Sequence, residues 1–239
     1  MATAISKISD SDWERTCAGY GAWKYATPLP PEGLIWSTGG ASIENFLVLG
    51  DAWSHLVNHF VPENATVMDI GCGCGRTARF LIDNRWISRY IGFDVIETNV
   101  KWCNKFLGAV RQGVAEFYWF DLHSAEYNPS GALKPHELRF PAAGRSVDVA
   151  FAASLFTHLL EPAAKHYLAE IGRVLSVRGT AIMSIHSNPL PGSRFSGNET
   201  RIDIESAYFV ELAATAGLYE RERIDDFGGQ QVFIMGTTA

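Results

Sequence analysis

The stretch "TVMDIGCGCGRTARFL" joins a short apolar strand to a helix through three alternating glycines, Gly71, Gly73 and Gly75. No other feature narrows the fold as much. A glycine-lined turn between a strand and a helix belongs to a sheet whose strands are linked by helical crossovers. The following sequence repeats that alternation. "RYIGFDV" reads as a strand, "ETNVKWCNKFLGAVRQ" as a helix and "EFYWFDL" as a strand. After a long polar connection over 123–146, "VDVAFAAS" is a strand, "EPAAKHYLAEIGRVL" a helix and "GTAIMSIH" a strand. Strands alternating with helices predict a parallel sheet covered on both faces.

The flanks are read more coarsely. Over 42–60, Phe46, Leu49, Trp53, Leu56, Val57 and Phe60 recur at helical spacing, with Gly50 as a weak point. Residues 1–40 hold Trp13, Tyr20, Trp23, Tyr25, Trp36 and an "STGG" turn. They predict a structured arm that packs on the main domain or lines a pocket. The expected organisation is one domain, with a helical and aromatic arm over 1–60 and the sheet over 61–239. Residues 187–201 read as a loop, followed by a helix over about 204–216 with Asp203 as N-cap and Gly217 as its stop. The last stretch, "LYERERIDDFGGQQVFIMG", predicts an antiparallel hairpin turning at Phe227-Gly228-Gly229.

Composition supplies the core such a fold needs: 47% of the 239 residues are apolar and 19% are charged. The net charge of −6, without Lys/Arg clusters, argues against nucleic acid or an anionic membrane as partner. No apolar run reaches the roughly 18 residues of a membrane span, and the N-terminal stretch has no signal-peptide core. Four cysteines are few for a disulfide framework, so a cytoplasmic setting with reduced thiols is expected.

The glycine loop also contains Cys72 and Cys74. A C-x-C pair without a second pair or nearby histidines is a poor zinc site, and a redox pair is usually C-x-x-C. No metal is expected. The glycines have the better explanation: they let backbone N–H groups and a helix start approach a ligand at the carboxyl end of a strand. The pattern is G-x-G-x-G followed by Arg76, not the G-x-G-x-x-G of dinucleotide sites, and no Gly-Lys-Ser/Thr is present. Asp69 precedes the loop, where an acid repels a diphosphate and attracts an amino group. Asp94 ends the second strand, placed for ribose hydroxyls, and Asp121 ends the third.

These motifs, with "VKWCNKF", "SVDVAFAASLFTHLLEPAAKHYLAEIGRVL" and "GGQQVFIM", resemble the class I S-adenosylmethionine-dependent methyltransferases, over roughly residues 40–236. They are similar to a bacterial group of small-molecule methyltransferases. The resemblance implies an α/β, Rossmann-like, doubly wound seven-stranded sheet, mostly parallel with a C-terminal antiparallel hairpin. It implies S-adenosyl-L-methionine as cofactor, with Asp69, Gly71, Cys72 and Gly73 around the methionine moiety. Asp94 would bind the ribose, with Val95 beside the adenine. Asp121 would face the adenine amino group next to Leu122. Ala153 and Ser154 would approach the sulfonium. Two departures stand out: "SVRGT" replaces Lys-Pro-Gly-Gly before strand five, and Gln230-Gln231 replaces Gln-Asp in the closing strand.

The acceptor is narrowed by what is missing. There is no Asp/Asn-Pro-Pro-Tyr after strand four and no acid cluster for magnesium there. A small-molecule or sugar-type acceptor remains, with oxygen preferred over nitrogen. His158 is the candidate base, with an orienting role as the alternative; His123 and His186 are weaker candidates. Trp102 and Trp119 read as packing. A nicotinamide-dependent oxidoreductase, or a non-catalytic partner that binds S-adenosylmethionine, would share the loop and the strand-two acid.

Overall fold

The computed structural model describes residues 28–238; the expectations for Trp13, Tyr20, Trp23 and Tyr25 lie outside them. Helix α1 (Glu32–Ser37) leads into α2 (Ile43–His59), whose start is fixed by Ser42, the side chain of which accepts the Asn45 N–H at 3.0 Å. Strand β1 (Ala65–Ile70), the short helix α3 (Ala78–Leu81), β2 (Ile87–Asp94), α4 (Glu97–Phe106), β3 (Ala115–Trp119), β4 (Val147–Ala152), α5 (Glu161–Val174) and β5 (Leu175–Ile185) follow. A small hairpin, β6 (Phe195–Asn198) and β7 (Arg201–Ile204), precedes α6 (Ser206–Thr215), β8 (Tyr219–Ile224) and β9 (Gln231–Gly236).

Seven strands form one sheet in the order β3-β2-β1-β4-β5-β9-β8. The chain order reverses between β1 and β4, the place where open α/β sheets bind ligands. Strand β9 is antiparallel to both β5 and β8, so it alone runs against the sheet. The period-two alternation of buried strands divides the core. Met68, Ile70, Ile91 and Phe93 face α5 and α6 through Tyr167, Leu168, Ile171 and Phe209. Val67 and Tyr90 face α2, α3 and α4 through Trp53, Val57, Leu81, Val100 and Cys103. Burial on both faces is what makes these strands apolar throughout.

Several readings are corrected. Residues 187–201 are not all loop: β6 and β7 pair from Phe195↔Ile204 to Asn198↔Arg201. Strand β6 does not alternate and has Gly197 at φ 112°, and β7 alternates over only four residues, too short a run to announce a strand. Helix α6 therefore begins at Ser206. Asp203 lies on β7 and accepts from Arg201 at 2.8 Å instead of capping. The helix expected over "RTARFLIDNR" shrinks to four residues. Tight turns precede it, and Asn84 ends it by accepting the Trp86 N–H at 2.9 Å. Gly50 is a contact rather than a weak point. A Cβ there would lie 2.3 Å from the Arg76 carbonyl oxygen, so glycine lets α2 press against the turn after the third loop glycine.

Candidate active site

The carboxyl ends of β1, β2 and β4 open into a cavity of about 460 Å³, within the range that holds small ligands. The glycine loop forms its floor. Gly71, Gly73 and Gly75 have φ of 73°, 53° and 81°, the left-handed region that glycine enters freely. The N–H groups of Gly71 and Cys72 both donate to the Phe93 carbonyl at 2.9 Å, tying the loop to β2. Asp94, buried at the end of β2, accepts from the Gly73 N–H and the Ile96 N–H, each at 2.8 Å. Burial raises its carboxyl above the ordinary value, and these backbone donors oppose the shift.

Asp69 sits on the α2/α4 face of β1 and accepts the Tyr90 hydroxyl at 2.6 Å. Burial pushes its carboxyl up to about 7, with Asp94 adding to the shift and Tyr90 and Arg76 restraining it. Arg76 lines the same end of the cavity with only 8% of its surface exposed, and its Nη1 donates to the Thr38 carbonyl at 3.1 Å. The turn at Ser37, Thr38 and Gly39 forms the wall above the loop, held by Ser37 Oγ against Asn99 at 3.3 Å.

Of the residues singled out from sequence, Asp69, Gly71, Cys72, Gly73, Asp94, Val95, Leu122, Ala153, Ser154 and His158 all line this one cavity. Asp121 does not. Strand β3 stops at Trp119, and the Asp121 carboxylate accepts from Asn128 Nδ2 at 3.1 Å, which also donates to the Leu122 carbonyl. Trp119 is outside as well, donating to the Val95 carbonyl at 3.0 Å, and Trp102 packs on Phe106. Among the described residues Cys72, Cys74 and Cys103 are free and buried, and Cys103, read as solitary, lies under the loop with Sγ 3.5 Å from the Gly73 carbonyl. Burial pushes the Cys72 and Cys74 thiols up, away from reactive thiolate. Among the described residues no group of three His, Cys, Asp or Glu is placed to share a metal ion.

The opposite end of the cavity is built around the turn after β4. Ser154 has φ 59°, a costly conformation for serine. Its N–H donates to Ser184 Oγ at 2.8 Å, and its hydroxyl pairs with the Gln230 amide at 3.1–3.2 Å. Gln230 lines the cavity, whereas Gln231 turns away to accept from Ser206. His158 Nδ1 lies 2.9 Å from the Glu199 carbonyl and 3.1 Å from the Tyr127 hydroxyl. A carbonyl only accepts, so Nδ1 carries the proton and Nε2 a lone pair. Burial lowers the His158 pKa below 6.5, keeping the ring neutral at pH 7. Sequence reasoning missed Glu199 and Tyr127. Both lie in polar connections, and only the packing of the β6–β7 hairpin against the turn after β4 brings them to His158; Ile202 N–H to the Thr157 carbonyl, 2.7 Å, is part of that packing.

Residues 68–181 match the family model of a methyltransferase domain. The fold is shared with a TehB-like S-adenosylmethionine-dependent methyltransferase from Corynebacterium glutamicum (TM-score 0.56, 16% identity, 93% of this chain and 97% of that one). It is shared too with 1,6-didemethyltoxoflavin-N1-methyltransferase from Burkholderia thailandensis, solved with bound 1,6-didemethyltoxoflavin and S-adenosylhomocysteine (TM-score 0.59, 16% identity, 98% and 91%). The CcbJ methyltransferase from Streptomyces caelestis is similar at TM-score 0.58, 16% identity, 80% and 90% coverage. The cavity suits the cofactor these names imply. S-adenosylmethionine offers a ribose diol, an adenine, a zwitterionic tail and a sulfonium. The cavity offers buried carboxylates, one guanidinium, a glycine cradle and the apolar Val95 and Leu122. A dinucleotide would instead bring its diphosphate against Asp69 and Asp94. Residues 68–181 thus match a methyltransferase domain, on a fold shared with S-adenosylmethionine-dependent methyltransferases.

Proposed function

We propose that this enzyme methylates a hydroxyl of a small-molecule or sugar-type acceptor, with His158 as the general base. The observation that carries the reading is the state of His158. Its Nδ1–H is committed to the Glu199 carbonyl, its ring is kept neutral by burial, and Nε2 has no hydrogen-bond partner among the described residues. An amine acceptor needs only to be neutral, whereas a hydroxyl must lose a proton as it is methylated.

The bound cofactor supplies an already activated methyl group. The chain supplies position. Asp94 holds the ribose, Asp69 the ammonium of the methionine moiety, and Val95 and Leu122 flank the adenine. Asp121 acts one step back, through Asn128. Ala153 and the constrained Ser154 define where the reacting groups meet, with Gln230 fixing the Ser154 hydroxyl and facing the acceptor. The Ser37–Gly39 turn and the β6–β7 hairpin wall the cavity from two sides and restrict water.

The test is turnover on a panel of hydroxylated and amino metabolites, followed by His158 variants on the best acceptor. His158→Ala should lower kcat by about 10²–10⁴-fold and leave cofactor affinity unchanged. His158→Gln keeps a donor for Glu199 but no base, and should stay as slow as Ala. Recovery by Gln would reduce His158 to an orienting role. The pH profile has a definite sign: the neutral ring is lost as pH falls through its folded pKa, so kcat/KM should hold above pH 6.5 and fall only below it.

A further inference from the structure

We propose that Tyr127 is a specificity-determining residue, which donates its hydroxyl proton to a second oxygen of the acceptor, apart from the one that is methylated. The acceptor class this names is a polyol of the sugar type. A count of protons around His158 leads to it. Nδ1 carries one proton, and two oxygens face it: the Glu199 carbonyl at 2.9 Å and the Tyr127 hydroxyl at 3.1 Å. Nδ1 then has no lone pair, so the Tyr127 O–H cannot donate to it. The hydroxyl oxygen turns a lone pair toward Nδ1–H, and its own proton turns away from the imidazole. Among the described residues that proton has no acceptor. Tyr127 lines the cavity beside His158, so an oxygen of a bound molecule can take it.

Two further observations describe a donor held in place. Ser124 Oγ accepts the Tyr127 N–H at 3.2 Å, and the Tyr127 ring stands edge-on to the imidazole, with 5.3 Å between centroids and 87° between planes. Burial pushes the Tyr127 pKa up to about 12, so the hydroxyl keeps its proton throughout the neutral range. The neighbouring Ser124 is spoken for, since its hydroxyl donates to the Glu199 carboxylate at 2.5 Å. Tyr127 thus has a donor to spare on a wall where the serine has none. A half-buried donor left unpaired by the wrong molecule is costly, and such a site rejects an analogue that lacks the matching oxygen. Nδ1 and Nε2 lie on opposite edges of the imidazole. The oxygen that meets Tyr127 is therefore distinct from the one that gives its proton to Nε2.

This inference rests on the hydroxyl-methylating reading, and the experiment separates the two. Methyl transfer from S-adenosylmethionine would be measured on methyl glycosides, on the same glycosides with one hydroxyl removed at a time, on cyclohexanol and on cyclohexylamine. For the native enzyme, removing one hydroxyl other than the methylated one should lower kcat/KM at least about tenfold. In Tyr127→Phe that penalty should vanish: the parent glycoside falls to the level of its deoxy analogue, through KM. The variant's affinity for S-adenosylmethionine should be unchanged, and so should the fall of kcat/KM at low pH, because Glu199 still holds Nδ1–H. An equal loss on the parent and every deoxy analogue, or a displaced pH profile, would make Tyr127 a support for His158 and overturn the proposal. Weaker S-adenosylmethionine binding in the variant would place the hydroxyl on the cofactor and overturn it too. Should the variant not fold, the native comparison decides: a tenfold penalty at a second hydroxyl supports the contact, and no penalty overturns it. Methylation of cyclohexanol but of no glycoside, or of none of these probes, would overturn the polyol class. Methylation of cyclohexylamine alone would instead defeat the hydroxyl reading itself.

Discussion

On the proposed reading, single residues in this site serve the backbone and the ligand together. The Asp94 carboxylate pins Gly73 and Ile96 before any ribose is present. Replacing it by alanine would loosen the glycine loop as well as remove a ligand contact, so Asp94→Asn is the cleaner change. It keeps one acceptor oxygen but sets an amide NH2 against one of the two backbone N–H donors, so it should weaken cofactor affinity about tenfold or more and lower Tm less than alanine does, read by calorimetry. Asp69 gives a pH prediction. Its carboxyl, pushed up to about 7 by burial, is half protonated near neutrality. An ammonium favours the ionised form, so cofactor affinity should rise from pH 6 to pH 8 with proton release, measured in buffers of different ionisation heat. The Tyr90 hydroxyl restrains the Asp69 pKa, so Tyr90→Phe should move that profile to higher pH. An unshifted profile would remove Tyr90 from the argument.

At the scale of elements, two close approaches shape the cavity. Helix α2 reaches the turn at Arg76 only because residue 50 lacks a Cβ. Alanine has the better helix propensity by about 1 kcal/mol. A contact of 2.3 Å to a backbone oxygen outweighs that, and overpacking typically costs about 1–3 kcal/mol. Gly50→Ala should therefore lower Tm by several degrees in a thermal melt; a rise would show that the helix can shift. The β6–β7 hairpin makes the second approach. The Glu199 carboxylate accepts from Ser124 Oγ at 2.5 Å and the Glu126 N–H at 3.3 Å, while its carbonyl holds His158. Glu199→Ala should cut kcat by releasing the hairpin tip, with cofactor affinity unchanged.

For the whole molecule, the segment before the sheet is part of the cavity. Leu29 and Ile35 are buried with Phe46, Leu47, Cys74 and Phe80 in a cluster beneath α2, and the Ser37–Gly39 turn closes over the loop. Removing residues 1–40 should thus lower Tm and weaken cofactor binding together, because one segment supplies both core and wall. Trp36, 59% exposed, should tolerate alanine with a Tm shift near zero. Differential scanning calorimetry with and without cofactor separates these expectations. Among the described residues no helix is long and apolar enough to cross a membrane.

The alternation of strand and helix, the glycine loop and the acids at the ends of β1 and β2 were legible in the amino-acid sequence. Each is a local necessity: buried strands need continuous apolar runs, a tight turn needs glycine, and an acid at the cavity follows directly from its strand. Part of the cavity wall, Val95, Leu122, Ala153 and Ser154, was expected from the resemblance to known methyltransferases. What only the tertiary structure decided depends on contacts between distant segments. Gly50 is required by a carbonyl 26 positions away; Cys103 lies against a loop 30 positions away; the His158 tautomer is set by Glu199, 41 positions on. Asp121, expected from the resemblance to face the adenine, has its carboxylate engaged by Asn128 seven residues later. Periodicity and propensity record what a residue's neighbours in the chain require, and they carry no trace of a partner that folding alone brings within hydrogen-bond reach.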